Sequence, residues 1–123
     1  MARYLLDSDV LIWLLRGRAE TLGRLEAFDG PFGVSAISRA EIWAGARESE
    51  HRQIEDLFLS LISYPVESAV ADLAGKYLRH YRHRGKLLLE LADALIAATA
   101  VVNGLALITY NTSHFPMPEL KLA

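Results

Sequence analysis

The sequence predicts an α/β domain with a small parallel sheet flanked by helices. Three observations support this. Short apolar runs of strand type alternate with longer stretches of helical periodicity. Helical positions outnumber strand positions. The run at residues 105–109 is apolar almost throughout, as expected of a parallel strand buried on both faces.

Residues 3–7 read as a strand that stops on Asp7. Ser8 is placed to cap a helix in which Val10, Leu11, Leu14 and Leu15 recur at helical spacing until Arg16-Gly17. Residues 21–28 read as a second short helix, closed by Asp29-Gly30-Pro31. Residues 32–37 read as a strand, and Ser38 opens a helix carrying Ile42, Trp43 and Ala46. Ile54, Leu57, Phe58, Leu61 and Ile62 mark the next helix, with Pro65 just beyond. The clearest helix covers residues 67–84, with a stripe of Val70, Leu73, Ala74, Tyr77, Leu78 and Tyr81, and ends at Gly85. An apolar helix over residues 89–102 stops at Asn103-Gly104, because glycine accepts the left-handed C-terminal conformation. Residues 110–118 are rich in turn formers, and residues 120–122 read as an edge strand.

The 123 residues fit one domain over the whole chain, 1–123. A composition of 52% hydrophobic and 23% charged residues is that of a globular chain. The absence of cysteine excludes disulfides and thiolate metal sites and fits a cytoplasmic location. Met1 leads into a short apolar run without the pattern of a signal peptide. Residues 87–102 are too short to span a bilayer and are interrupted by Glu90 and Asp93, so no membrane association is expected. A net charge of −2 argues against a passive electrostatic nucleic-acid binder. It leaves room for an enzyme that meets phosphates through a metal ion and a local basic patch.

The functional expectation is geometric. Ligands of open α/β sheets bind outside the carboxyl ends of the strands. Asp7 ends the first strand, and Glu41 lies in the first turn of the helix after the second. Asp93 lies near the start of the helix that leads into residues 105–109, so it falls at the same sheet edge. Asn111 and His114 follow the last central strand. Carboxylates gathered together need a proton or a cation. Oxygen donors without cysteine suit Mg2+ or Mn2+, whose remaining positions go to water and substrate phosphate. That is the chemistry of metal-assisted phosphodiester hydrolysis.

Each acid also has a plainer reading. Asp7 could cap the first helix. Ser38 and Glu41 fit a capping box. Asp93 could serve as a favourable charge in a first helical turn, although its apolar neighbours make an unpaired carboxylate costly there. Glu90, one turn earlier, reads as a solvated helix-start acid, Asn111 as a cap and His114 as a surface residue. The basic run of Arg79, Arg82, Arg84 and Lys86, with His80 and His83, reads either as a solvated helix face or as a phosphate contact surface. Its RNA-binding candidates are Arg79, Arg82 and Lys86.

Four segments resemble the motifs of PIN-domain proteins, and among them the VapC-type toxins of bacterial toxin–antitoxin pairs. Leu5-Leu6-Asp7-Ser8-Asp9-Val10-Leu11-Ile12 resembles the opening motif. Val34-Ser35-Ala36-Ile37-Ser38-Arg39-Ala40-Glu41-Ile42 resembles the second. Asp93-Ala94-Leu95-Ile96-Ala97-Ala98-Thr99-Ala100 is the most specific match, and Leu107-Ile108-Thr109-Tyr110-Asn111-Thr112-Ser113-His114-Phe115 resembles the closing motif. The resemblance covers nearly the whole chain. It implies a PIN-like three-layer fold and Mg2+- or Mn2+-dependent endoribonuclease activity. It also implies a homodimer and a small cognate antitoxin that inserts a segment at the acidic cleft, in a higher assembly of the two proteins. The family acids map onto Asp7, Glu41 and Asp93, with Asp7 and Asp93 as metal ligands and Ser8 as the supporting hydroxyl.

Two departures stand out. Where relatives carry a fourth acid, this chain has His114, or Asn111 at the alternative position. Asp9 replaces the usual Asn and partly restores negative charge. The missing acid motivates an alternative reading, a catalytically weak module of the same fold that binds RNA or a protein partner. Trp13 and Trp43 are candidates either for a dimer interface or for core packing.

Overall fold

Alternation along the strands divides the apolar residues between two cores. In a computed structural model, which describes residues 1–82 and 89–123 (of Arg82 only the backbone), Tyr4–Leu6 (β1), Phe32–Ser35 (β2), Ile62–Tyr64 (β3) and Ala106–Ile108 (β4) form one sheet. The strand order is β3-β2-β1-β4 and every pairing is parallel. Leu5 and Leu107 are paired in register and share one core cluster, while Leu6 and Ile108, one residue on, belong to the other. Both faces of the central strands are therefore covered, as the apolar run in β4 requires.

One face is covered by α5 (Ser68–Arg82) and α6 (Leu91–Asn103), through Val70, Ala74, Tyr77, Ile96 and Ala97. The other is covered by α1 (Ser8–Leu15), α2 (Ala19–Glu26), α3 (Ala36–Ala44) and α4 (His51–Leu59), through Val10, Leu11, Leu25, Ile42, Ile54 and Phe58. The result is the expected helix–sheet–helix sandwich. After β4 the chain makes a short 3-10 turn at Thr112–His114 and then buries Phe115, Met117 and Leu120 against the α5–α6 core. The Tyr77 hydroxyl donates to the Glu119 carboxylate and ties this last segment to α5. Burial, with the Glu119 charge beside it, holds the Tyr77 phenol well above its ordinary pKa. No helix among the described residues is long and apolar enough to cross a membrane.

Several expected boundaries move, each for a local reason. Asp7, not Ser8, caps α1: its backbone is extended and its carboxylate accepts the Ser8 N–H at 2.8 Å. The strand expected to reach residue 37 stops at Ser35, because that hydroxyl caps α3. It accepts the N–H groups of Ile37 and Ser38 at 3.0 and 3.3 Å. Ser38 thus lies inside α3 and Glu41 in its second turn, so the Ser38–Glu41 capping box does not form. Ile62 continues the helical spacing of Phe58, yet α4 ends at Leu59 and Ile62 starts β3. The edge strand expected at residues 120–122 reduces to one bridge, in which Lys121 O and Ala123 N flank Leu107 at 2.8 Å each. Gly104 adopts the expected left-handed cap of α6, with φ 68°.

Both tryptophans are half-buried. Trp43 packs edge-on against His51 and Phe58, and the Arg18 guanidinium covers the Trp13 ring at 3.7 Å.

Candidate active site

β1 lies in the middle of the sheet, with β2 on one side and β4 on the other. The crevice between β1 and β4 is therefore the topological switch point, where open α/β sheets bind their ligands. Leu6 pairs with Ile108, so the residues that leave the two strands side by side are Asp7 and Thr109. The Asp7 N–H donates to Ile108 O at 3.0 Å, and the Thr109 hydroxyl donates to Asp7 Oδ2 at 2.7 Å. Asp7 is 5% exposed.

That burial raises the Asp7 pKa from 3.8 to about 6, and the charges of Asp9 and Asp93 push in the same direction. The hydrogen bonds from Thr109 and Ser8 oppose it without cancelling it. Asp93 stands in the first turn of α6, half-buried, and its pKa is also raised, first by desolvation and then by Glu90 and Glu41. His114 works against that shift, with Nδ1 3.5 Å from Asp93 Oδ2. These mutual influences place Asp7, Asp9, Asp93, Glu41 and Glu90 in one electrostatic neighbourhood.

Glu41 is exposed, and Ser8 Oγ donates to its Oε1 at 2.7 Å while sharing a 2.9 Å hydrogen bond with Ser38 Oγ. The hydroxyls of Ser8 and Ser38 thus tie the start of α1 to α3 and orient the acid between them. A groove of about 430 Å³ runs beside Glu41, lined by Ile12, Leu15, Ile42 and Ile54 and by the charged Arg16, Arg47 and Glu50.

Asp9 is committed to the backbone. Its Oδ1 accepts Val10 N–H at 2.7 Å and its Oδ2 accepts Tyr110 N–H at 3.0 Å. It clamps the loop after β4, and with Oδ2 3.5 Å from Thr109 Oγ1 its charge also acts on Asp7. Asn111 is exposed on that loop, and its N–H donates to Thr109 Oγ1 at 3.0 Å. Arg79 is exposed on α5, and among the described residues it shares no hydrogen bond or ion pair with the acids. The Arg82 side chain and Lys86, with His83 and Arg84, lie outside the described residues.

The sequence reading gives no site role to Thr109 or Thr21. Thr109 had a usable signal: like Asp7, it is the first polar residue after an apolar strand run. Ser38 was noticed, but for the wrong role.

Among the described residues no three Asp, Glu or His side chains converge closely enough to chelate a metal ion unaided. The donor set nevertheless fits a hard cation that keeps most of its waters. It is all oxygen, it includes a buried carboxylate strained by like charges, and it has few protein ligands.

The model of the PIN domain matches residues 4–117. This chain belongs to the PIN-domain family. Its relatives include Ribonuclease VapC10 of Mycobacterium tuberculosis, 43% identical over 117 residues, covering 94% of this chain and 87% of that protein. Ribonuclease VapC19 of the same species is 37% identical over 123 residues, covering 95% and 96%. A chain from a toxin–antitoxin complex of Klebsiella pneumoniae is 30% identical and superimposes with a TM-score of 0.79, covering 95% of this chain and 94% of that one. The DNA-bound VapBC of Salmonella typhimurium reaches a TM-score of 0.87 at 19% identity, covering 100% and 98%, which is likeness of fold. The PIN fold thus holds for this chain, and its switch-point crevice is where Asp7 and Thr109 meet.

Proposed function

We propose that this PIN-domain protein is an endoribonuclease, the toxin of a toxin–antitoxin pair, and that its RNA is cut at the β1–β4 crevice. The observation that carries this reading is the buried Asp7 carboxylate, held by Thr109 and pressed by the charges of Asp9 and Asp93. Asp7 also caps α1, but a buried carboxylate crowded by like charges fits a site for a cation. Asp7 and Asp93 would hold Mg2+ or Mn2+. When bound, the ion supplies positive charge that offsets the carboxylates and the phosphate under attack.

The remaining roles belong to the chain itself. Thr109 and the Ser8 N–H fix the Asp7 carboxylate from two sides. Glu41, oriented by Ser8, is the acid placed to orient or deprotonate an attacking water. His114, within reach of Asp93, limits the negative charge at the point where relatives add an acid. The groove beside Glu41 combines an apolar lining with charges of both signs, which suits an inserted antitoxin segment. The names of the relatives and of the Klebsiella complex support both the activity and that partner. A homodimer and a cytoplasmic location belong to the same proposal.

Purified protein incubated with structured RNA and Mn2+ or Mg2+ should produce discrete cleavage ends. Asp7→Asn and Asp93→Asn should each slow cleavage on the order of 100-fold. Mn2+ should raise the melting temperature of the parent and of neither variant. Variants that cut as fast as the parent would sink the assignment. An unshifted melting temperature with undetectable cleavage would favour a binding module of the same fold.

A further inference from the structure

Tyr110 immediately follows Thr109 on the loop after β4, and it is held unusually well for a residue 42% exposed. Its N–H donates to the Asp9 carboxylate at 3.0 Å. Its hydroxyl shares a 2.7 Å hydrogen bond with Thr21 Oγ1, on a residue that is completely buried. The Arg24 guanidinium lies over the ring, 5.0 Å from the centroid. Arg24 in turn donates to the Thr109 and Ala123 carbonyls at 3.4 and 3.3 Å. Backbone, hydroxyl and one ring face are all restrained, so the ring loses little further freedom when something packs on it.

A rigid aromatic ring with a guanidinium beside it is what single-stranded nucleic acid uses for base stacking. Here it stands one residue from the hydroxyl that holds Asp7. We propose that Tyr110, backed by Arg24, is the stacking platform for one unpaired RNA base next to the scissile phosphate, and so helps select single-stranded sites. This rests on the ribonuclease reading. It assigns Tyr110 to substrate binding and not to the chemical step.

A purely structural role makes a different forecast. If Tyr110 only bolts the loop to α2, Tyr110→Phe loses the Thr21 bond, keeps the Arg24 contact, and no abasic penalty depends on the ring. If the ring is a platform, Tyr110→Phe keeps the parent's abasic penalty.

The test uses an RNA that the parent chain cleaves, with its cut site mapped. Dissociation constants are measured by fluorescence anisotropy in the Asp93→Asn background, with single abasic nucleotides placed in turn on either side of the cut. One abasic position should weaken binding about tenfold with Tyr110 present. Tyr110→Ala should weaken binding of the intact RNA by a similar factor, and the same abasic position should then cost nothing more. Tyr110→Phe should retain the parent's abasic penalty. Equal abasic penalties with and without the ring, or Tyr110→Phe matching Tyr110→Ala, would overturn the platform while leaving the nuclease intact. A parent chain that cleaves no RNA would overturn both.

Discussion

Asp7 titrates where few carboxylates do. At about 6 in the folded chain against 3.8 unfolded, it holds its proton more tightly when folded. Its contribution to stability is therefore fully present below pH 3.8 and disappears as pH rises through 6. Between about pH 4 and about pH 7.5 the loss is about 2 kcal/mol, because one pKa unit is worth about 1.4 kcal/mol. Urea unfolding of metal-free protein across that range should show the decline, and Asp7→Asn should remove about that share of it. An unchanged slope would mean that Asp7 is not the buried, strained acid described here. The sequence already placed Asp7 at a strand end, and Asp93 among apolar neighbours in a first helical turn. It leaves two readings for Glu41, because Ser38-Arg39-Ala40-Glu41 spells a capping box, whereas the actual cap is Ser35, three residues earlier. Removing that competing explanation leaves Glu41 held by Ser8, a contact 33 residues away that local spacing does not encode.

At the scale of elements, β3 was the hardest to read. Ile54, Phe58 and Ile62 are spaced four apart, so periodicity alone runs the helix through Ile62. What ends α4 is tertiary: Ile62 pairs with Gly33, and the Tyr64 ring lies over that glycine. A Cβ at position 33 would stand 2.7 Å from Tyr64 Cε2 and 3.4 Å from the Ile62 carbonyl. Gly33→Ala should therefore force the Tyr64 ring aside and cost about 1–3 kcal/mol in urea denaturation. Combining it with Tyr64→Ala should recover most of that cost, and a failure to recover would place the strain elsewhere. α6 was legible because its signals are local: apolar residues throughout, and a glycine free to take φ 68° at its end.

At the scale of the molecule, the site edges both cores. Asp7 leads out of β1 into α1 on one face of the sheet, and Asp93 sits on α6 on the other. A crevice that joins the two faces keeps its geometry only if they fold together. We propose that residues 1–123 unfold as one cooperative unit, with the two cores communicating through the strands they share and through α3, whose Ile37 packs on the α5–α6 core. Ile54, in the α1–α4 core, and Ile96, in the α5–α6 core, are each 1% exposed on opposite faces of the sheet. Ile54→Val and Ile96→Val should each cost about 0.5–1.5 kcal/mol. Their double variant should cost the sum to within about 0.5 kcal/mol, as expected of sites without common partners. Fluorescence and circular dichroism should report a single coincident urea transition in all three variants. Two transitions, with each substitution moving only its own, would mean that the faces fold separately. The acids could not then depend on a common frame.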